Sequence, residues 1–138
     1  MGQGGSSEVF SAKAPFGELV AVKIQRRPRK RPRFMQEYHI LNKNLHPSLI
    51  QVYEFGLLQQ GWAYLILELI KGKSATTHVR SFYGKERLQQ SIIMAAQVSK
   101  AFGALHNIGW IHGDIKSKNI LVDQKQLPHL IDFELSRP

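Results

Sequence analysis

A chain of 138 residues has room for one domain that buries roughly two thirds of its unfolded surface. Its 43% hydrophobic and 21% charged residues exclude a disordered polymer, and the absence of cysteine excludes disulfides and thiolate metal sites while suiting a reducing compartment. Apolar runs such as "YLILELI" are too short to cross a bilayer and "MGQGGSSEVF" lacks the regions of a secretory leader, so a cytoplasmic protein without a membrane partner is expected.

In chain order, "EVFSAKA" and "ELVAVKIQ" read as two short strands separated by the turn residues Pro15 to Gly17. The net charge of +9 then concentrates in "RRPRKRPR", residues 26–33, where Arg26, Arg27, Arg29, Lys30, Arg31 and Arg33 lie together. Pro28 and Pro32 argue against a helix there, so the run is expected to be an exposed, self-repelling loop. Beside that plain reading, its composition suits contact with phosphate, an acidic protein partner or nucleic acid.

"FMQEYHILNKNL" places Phe34, Tyr38, Leu41 and Leu45 at helical spacing and predicts a helix ended by His46-Pro47. "IQVYEFGLL" and "WAYLILELI" read as a hairpin joined through "QQG". A polar passage over 71–85 precedes a long amphipathic helix, Glu86 to His106, with Leu88, Ile92, Ala95, Ser99 and Phe102 repeating by four and three. "NILVD" and "LPHLIDFEL" predict two last short strands around a turn. The whole is an α+β arrangement, a small sheet lobe with one helix followed by a mainly helical part.

The polar residues that interrupt these apolar runs carry the chemistry. Gly2, Gly4 and Gly5 precede the first strand, where glycine lets the backbone bring its N–H groups close to a phosphate, although a flexible terminus has the same composition. Lys23 emerges from an apolar strand and needs an anionic partner, which Glu37 on the next helix could supply. Asp114, Lys116 and Asn119 share one turn between a helix and a strand, and Asp132 ends the apolar strand that must finish beside them. Two carboxylates and an amide oxygen are hard ligands suited to Mg2+, and Lys116 would offset phosphate charge.

In this order the motifs resemble the protein kinase family, the Ser/Thr type more than the tyrosine type. "GQGGSSEV" is similar to its glycine-rich loop, "VAVK" to its strand lysine and Glu37 to its helix glutamate. "HPSLIQVYEF" matches the run into the next strand, "HGDIKSKN" the catalytic loop and "DFE" the metal-binding motif. The resemblance implies a kinase small lobe over residues 1–70 and the opening of a large lobe over 71–138. It implies ATP and Mg2+ as cofactors and a protein substrate. Lys23 would hold the α- and β-phosphates and pair with Glu37, Gly2 and Gly4 would cover them, Asp114 would orient the substrate hydroxyl, Lys116 would touch the transferring phosphate, and Asn119 and Asp132 would hold magnesium.

By the same resemblance Leu67 aligns with the gatekeeper, Glu68 to Ile70 with the hinge that binds adenine through its backbone, and Val9, Ala21 and Leu121 with the adenine's apolar walls. Leu41, Val52, His112 and Phe133 align with the stacked spine.

Three departures carry consequences. Ser7 replaces the third loop glycine. Gly113 stands where the family has an arginine that reads activation-loop phosphate, so an active chain is expected not to depend on that switch. Glu134 replaces the glycine after Asp132-Phe133, which is expected to cost backbone freedom at φ > 0 and to add negative charge near the metal site, so that it either weakens nucleotide binding or points outward.

The resemblance reaches only the start of the large lobe. The chain is therefore expected to be a fragment of a longer kinase, with apolar surface exposed on the 86–106 helix. Two alternatives remain: a truncated pseudokinase that binds nucleotide or a partner, and a small-molecule kinase of the aminoglycoside phosphotransferase-like group, to which "HGD", "NILVD" and "IDFE" are also similar.

Overall fold

A computed structural model describes residues 7–138, so the expectations for Gly2 and Gly4 fall outside the described residues. Residues 1–43 and 51–69 cluster as one compact unit and residues 44–50 and 70–138 as a second.

The first unit is a four-stranded antiparallel sheet with one helix. Strand β1 (Ser7–Lys13) pairs with β2 (Leu19–Gln25), which pairs with β4 (Ala63–Glu68), which pairs with β3 (Val52–Leu57), giving the order β1-β2-β4-β3. β4 shows why the sequence chooses strand here. Ala63, Leu65 and Leu67 are buried while Tyr64, Ile66 and Glu68 alternate with them at half exposure, the period-two pattern of a sheet with one face on a core. β3 and β4 join through a turn closed by the Gly61 N–H donating to the Leu58 carbonyl at 2.8 Å, with Gly61 at φ 78. Helix α1 (Arg31–Leu41) buries Phe34, Glu37, Ile40 and Leu41.

The basic run is not the loop expected from its prolines. Residues Pro28–Lys30 form a 3-10 turn and α1 begins at Arg31. Each proline falls in the first two positions of its helix, where the missing N–H has no intrahelical partner to lose and the fixed φ already suits the helix. Two of the cations are also engaged: Arg26 reaches Glu8 at 2.8 Å and stacks 4.8 Å from the Trp62 ring, and Arg31 donates to the Gly61 carbonyl at 2.7 Å. At its other end α1 stops at Leu41, short of the expected Leu45, and the chain leaves through Asn44 at φ 48, a left-handed conformation that asparagine tolerates.

The second unit combines two helices with a three-stranded sheet of order β5-β6-β7, formed by β5 (Gly72–Ser74), β6 (Ile120–Asp123) and β7 (Pro128–Leu130). Residues 48–50 run alongside β7, with the Ile50 N–H donating to the Leu130 carbonyl at 3.0 Å and the Leu130 N–H to Ser48 at 2.6 Å. The polar passage over 71–85 holds β5 and helix α2 (Ala75–Arg80), whose N-cap Ser74 accepts from the Thr77 N–H. β5 has none of the branched or aromatic residues of a typical strand. Its place is set by Gly72, where a Cβ would overlap the Val122 carbonyl, so that only glycine lets β5 approach β6 this closely.

Helix α3 (Gly84–His106) buries Val98, Ala101 and Leu105. The stripe of Leu88, Ile92, Ala95 and Ser99 lies on the outer side: Leu88 is 64% and Ile92 60% exposed, and Ala95 and Ser99 are exposed too. The helix carries apolar residues on both sides, so its periodicity marks a helix without saying which side is inward. The apolar surface expected on this helix is present. Among the described residues no helix is long and apolar enough to cross a membrane.

Candidate active site

In the first unit the sheet register aligns the residues singled out in the sequence. Val9 lies opposite Lys23 and Lys23 opposite Leu65, while Ala21 lies opposite Leu67. Directly paired residues and residues two apart share a sheet face, so Val9, Ala21, Lys23, Leu65 and Leu67 all project from one side. Ala21 and Leu67 are buried, whereas Val9 is 61% exposed. Glu37 of α1 meets Lys23 there, its two carboxylate oxygens 2.9 and 2.8 Å from the Lys23 Nζ, with the side chains only 5% and 1% exposed. The ammonium also sits 5.2 Å from the centre of the Phe34 ring. A buried lysine and a buried glutamate tolerate burial because each neutralises the other.

Glu68 closes β4 and is spent locally in part. Its N–H donates to the Gln51 carbonyl at 2.9 Å and its carboxylate accepts the Gln51 N–H at 2.8 Å. Ile70 follows in irregular backbone, and Leu121 is half-buried on β6 opposite His129.

In the second unit three of the expected site residues come together. Asp114, Lys116 and Asn119 lie on the loop that ends in a 3-10 turn, Ser117–Asn119, feeding β6. Lys116 Nζ donates to Asp114 Oδ2 at 2.7 Å, and Asn119 Nδ2 donates to the Asp114 carbonyl at 2.9 Å and to Oδ2 at 3.0 Å. The Lys116 bond, with help from Asn119, holds the Asp114 carboxyl below the usual aspartate range, and the same contact raises the Lys116 ammonium. Because its amide nitrogen faces Asp114, the Asn119 side chain keeps its carboxamide oxygen as its remaining acceptor.

Asp132 is tied to this loop through the backbone: the preceding Ile131 N–H donates to the Asn119 carbonyl at 2.9 Å. Asp132 itself adopts φ 62, a left-handed conformation uncommon outside glycine and more tolerable for aspartate than for most side chains.

His112 supports the loop from beneath. It is 2% exposed, packs edge-on against Phe133 at 4.6 Å, and accepts the Asp114 N–H on Nδ1 at 3.3 Å. Its Nε2 lies 3.1 Å from the Ile131 carbonyl, which can only accept, so the proton is on Nε2 and the ring is neutral. Burial accordingly lowers its pKa.

Two expectations for Glu134 are corrected. It lies outside the positive-φ residues, so the backbone there needs no glycine, and it is 8% exposed and does not point outward. Sequence reasoning also missed Ser117, whose hydroxyl accepts the Thr76 N–H at 2.8 Å and bonds the Thr76 hydroxyl at 2.5 Å, fastening the loop to α2. No local motif marks such a long-range pair.

Comparison with known proteins agrees with this arrangement. The family model described as the protein kinase domain matches residues 1–138. The chain is 34% identical to the tyrosine-protein kinase SRK2 of Spongilla lacustris and 32% to the tyrosine-protein kinase FRK of Homo sapiens. It is 27% identical to the serine/threonine-protein kinase PknH of Mycobacterium tuberculosis. Each match covers 99% of this chain but only 38%, 27% and 22% of the respective relative. A sheet lysine paired to a helix glutamate, an Asp-Lys-Asn loop and a family match from the first residue to the last support one assignment: the chain belongs to the protein kinase family.

Proposed function

We propose that this chain contributes ATP-dependent phosphotransfer to serine or threonine hydroxyls of a protein substrate, as the small lobe (residues 1–70) and the opening of the large lobe (71–138) of a kinase. The observation that carries this reading is the bonded cluster of Asp114, Lys116 and Asn119. It offers a carboxylate kept ionised, a cation for phosphate charge and an amide oxygen in one loop.

In this reading Asp114 orients the acceptor hydroxyl and takes its proton, and Lys116 neutralises charge on the phosphate in transfer. Lys23, aligned by Glu37, clamps the α- and β-phosphates; Gly2 and Gly4 lie outside the described residues and keep the phosphate-covering role only by resemblance. Val9, Ala21 and Leu121 line the adenine, and the backbone from Glu68 to Ile70 hydrogen-bonds it. The Glu68 N–H is already donated to Gln51, so in this reading the donor to adenine comes from the backbone beyond it, at Ile70.

The donor chemistry fits Mg2+ that arrives with the nucleotide. Among the described residues no group of three or more His, Cys, Asp or Glu could hold a metal alone. Asn119 and Asp132 would hold the ion through two hard oxygens, and phosphate and water would complete its shell. The bound ion would screen phosphate charge. ATP dependence and the cysteine-free chain suit the cytoplasm.

A tyrosine acceptor is the second reading, favoured by two relatives above 30% identity that are both named tyrosine-protein kinases. Incubating the natural full-length protein with Mg-ATP and matched Ser, Thr and Tyr peptides decides between them by phosphoamino acid analysis. Phosphoserine or phosphothreonine is the expected product, and phosphotyrosine alone would replace the first reading with the second.

A further inference from the structure

The cations of residues 26–33 divide into two groups. Arg26, on Glu8 and the Trp62 ring, and Arg31, on the Gly61 carbonyl, fasten the run to the connection between β3 and β4. Arg27, Arg29 and Arg33 are exposed, and among the described residues no carboxylate pairs with any of them.

The first unit supplies these three with no countercharge. Glu8 answers Arg26 and Glu37 answers Lys23. Glu54 accepts the Tyr64 hydroxyl at 2.6 Å, Glu68 accepts the Gln51 N–H, and Glu18 stands at the opposite end of β2 from the run. The first turn of α1 holds no acidic residue, although that end of a helix is where a carboxylate stabilises and a cation repels. Arg29 and Arg33 stand four positions apart across the junction of the 3-10 turn with α1, close enough for like charges to repel. The three guanidinium groups therefore carry an electrostatic cost in the free chain that an anion from outside would offset.

We infer that Arg27, Arg29 and Arg33 form a docking surface for a short acidic segment of a partner protein. The size of the patch favours a peptide. Residues 27–33 span no more than roughly 15 Å, since a 3-10 turn rises about 2 Å and an α-helix about 1.5 Å per residue. An extended peptide rises about 3.3 Å per residue, so three carboxylates within about five consecutive residues cover that length. Each guanidinium presents a planar fork that takes one carboxylate through two parallel hydrogen bonds. Nucleic acid fits less well. Its non-specific affinity grows with the number of phosphates neutralised, and three cations match only three. Trp62, the ring beside the run that could stack a base, is already covered by Arg26. The surface lies within the first unit, and its docking role does not depend on phosphotransfer.

The test is fluorescence anisotropy of the whole chain with a labelled probe peptide, Gly-Glu-Gly-Glu-Gly-Glu-Gly, against the same peptide with glutamine for glutamate, at about 20 mM salt. The glutamate peptide is expected to bind about tenfold tighter than the glutamine peptide. Arg27→Ala/Arg29→Ala/Arg33→Ala should remove that advantage, since three exposed ion pairs of ordinary strength multiply to about tenfold. Lys13→Ala/Lys43→Ala/Lys100→Ala is the control. It removes the same number of charges from exposed sites elsewhere in the chain and should lose less than about threefold.

Equal losses in the two triple variants would overturn the inference, because net charge alone would then explain the binding. Equal affinity for the two peptides would overturn it as well. Tighter binding of a short single-stranded RNA than of the glutamate peptide, lost in the arginine variant, would refute the acidic segment as the partner. Should the arginine variant fail to fold, arginine-selective modification of the wild-type chain by phenylglyoxal decides. The glutamate peptide is expected to protect Arg27, Arg29 and Arg33 while the exposed Arg80 and Arg137 stay reactive. Uniform protection, or none, would refute the docking surface.

Discussion

Glu37 brings both carboxylate oxygens within 2.9 Å of the Lys23 ammonium at a place where the two side chains are 5% and 1% exposed. The pair ties helix α1 to the centre of the first unit's sheet. Removing the cation leaves a buried carboxylate, so Lys23→Met is expected to cost about 3–5 kcal/mol of stability. The double variant Lys23→Met/Glu37→Leu should recover more than half of that, because an apolar pair has no charge to desolvate. Urea unfolding of the four members of the cycle measures both; a loss below about 1 kcal/mol in the single variant would deny the pair its structural role.

The acid limb of stability has named contributors. His112 has its pKa lowered from the ordinary 6.5, chiefly by burial, so the fold prefers the neutral ring. Its contribution is fully present above pH 6.5 and is lost as pH falls through the lower folded value. Protonation places a hydrogen on Nδ1, which now accepts the Asp114 N–H, and that bond must break. Asp114 has its pKa lowered from 3.8, first by the Lys116 bond, so its smaller, solvent-screened contribution is present above pH 3.8 and disappears below it. Stability measured between pH 7 and pH 3 should therefore fall in two steps. His112→Phe should lose the upper step and Asp114→Asn should shrink the lower, which Asp123, also held below the ordinary aspartate range, shares; an unchanged upper step in His112→Phe would contradict the neutral-ring assignment.

The two prolines of the basic run occupy first-turn positions and are expected to be nearly interchangeable with alanine. Pro32→Ala should alter stability by no more than about 0.5 kcal/mol, since both side chain and missing N–H lie at the start of α1. By contrast Gln36→Pro, in the interior of the same helix, removes an intrahelical bond and should cost about 3 kcal/mol or more. Similar costs for the two would return the run to the loop that its composition suggests.

These residues also show how far the sequence could be read. The strands β1 to β4 were legible because alternating side chains and turn residues mark them, and the charged site residues were legible through their order along the chain. Pro28 and Pro32 misled because the same residue that breaks a helix interior favours a helix start, and only knowledge of the boundary separates the two. Leu88 and Ile92 marked a helix without marking its inner side, because α3 is apolar on both faces. β5 was hidden because its cause, the close approach of Gly72 to Val122, lies some fifty positions away in the chain. The bond from Ser117 to Thr76 was invisible for the same reason.

Ser117 offers a direct check on such hidden contacts. Ser117→Ala removes the acceptor for the Thr76 N–H and the hydroxyl bond beside it, partly exposed contacts worth about 0.5–1.5 kcal/mol each at most. Thermal unfolding should register the loss, and faster exchange at the Thr76 amide should accompany it. An unchanged Thr76 amide would mean that the loop is held to α2 by other means.

Asp114 is the residue on which phosphotransfer depends in the proposed function. Transfer of the γ-phosphate from Mg-ATP to a protein acceptor should be measured for the natural full-length protein and for its Asp114→Asn form, with nucleotide binding followed in parallel. Loss of transfer by about 10²–10⁴-fold with nucleotide affinity retained is the result expected for a residue that handles the acceptor proton. Transfer undiminished in Asp114→Asn would contradict the assignment.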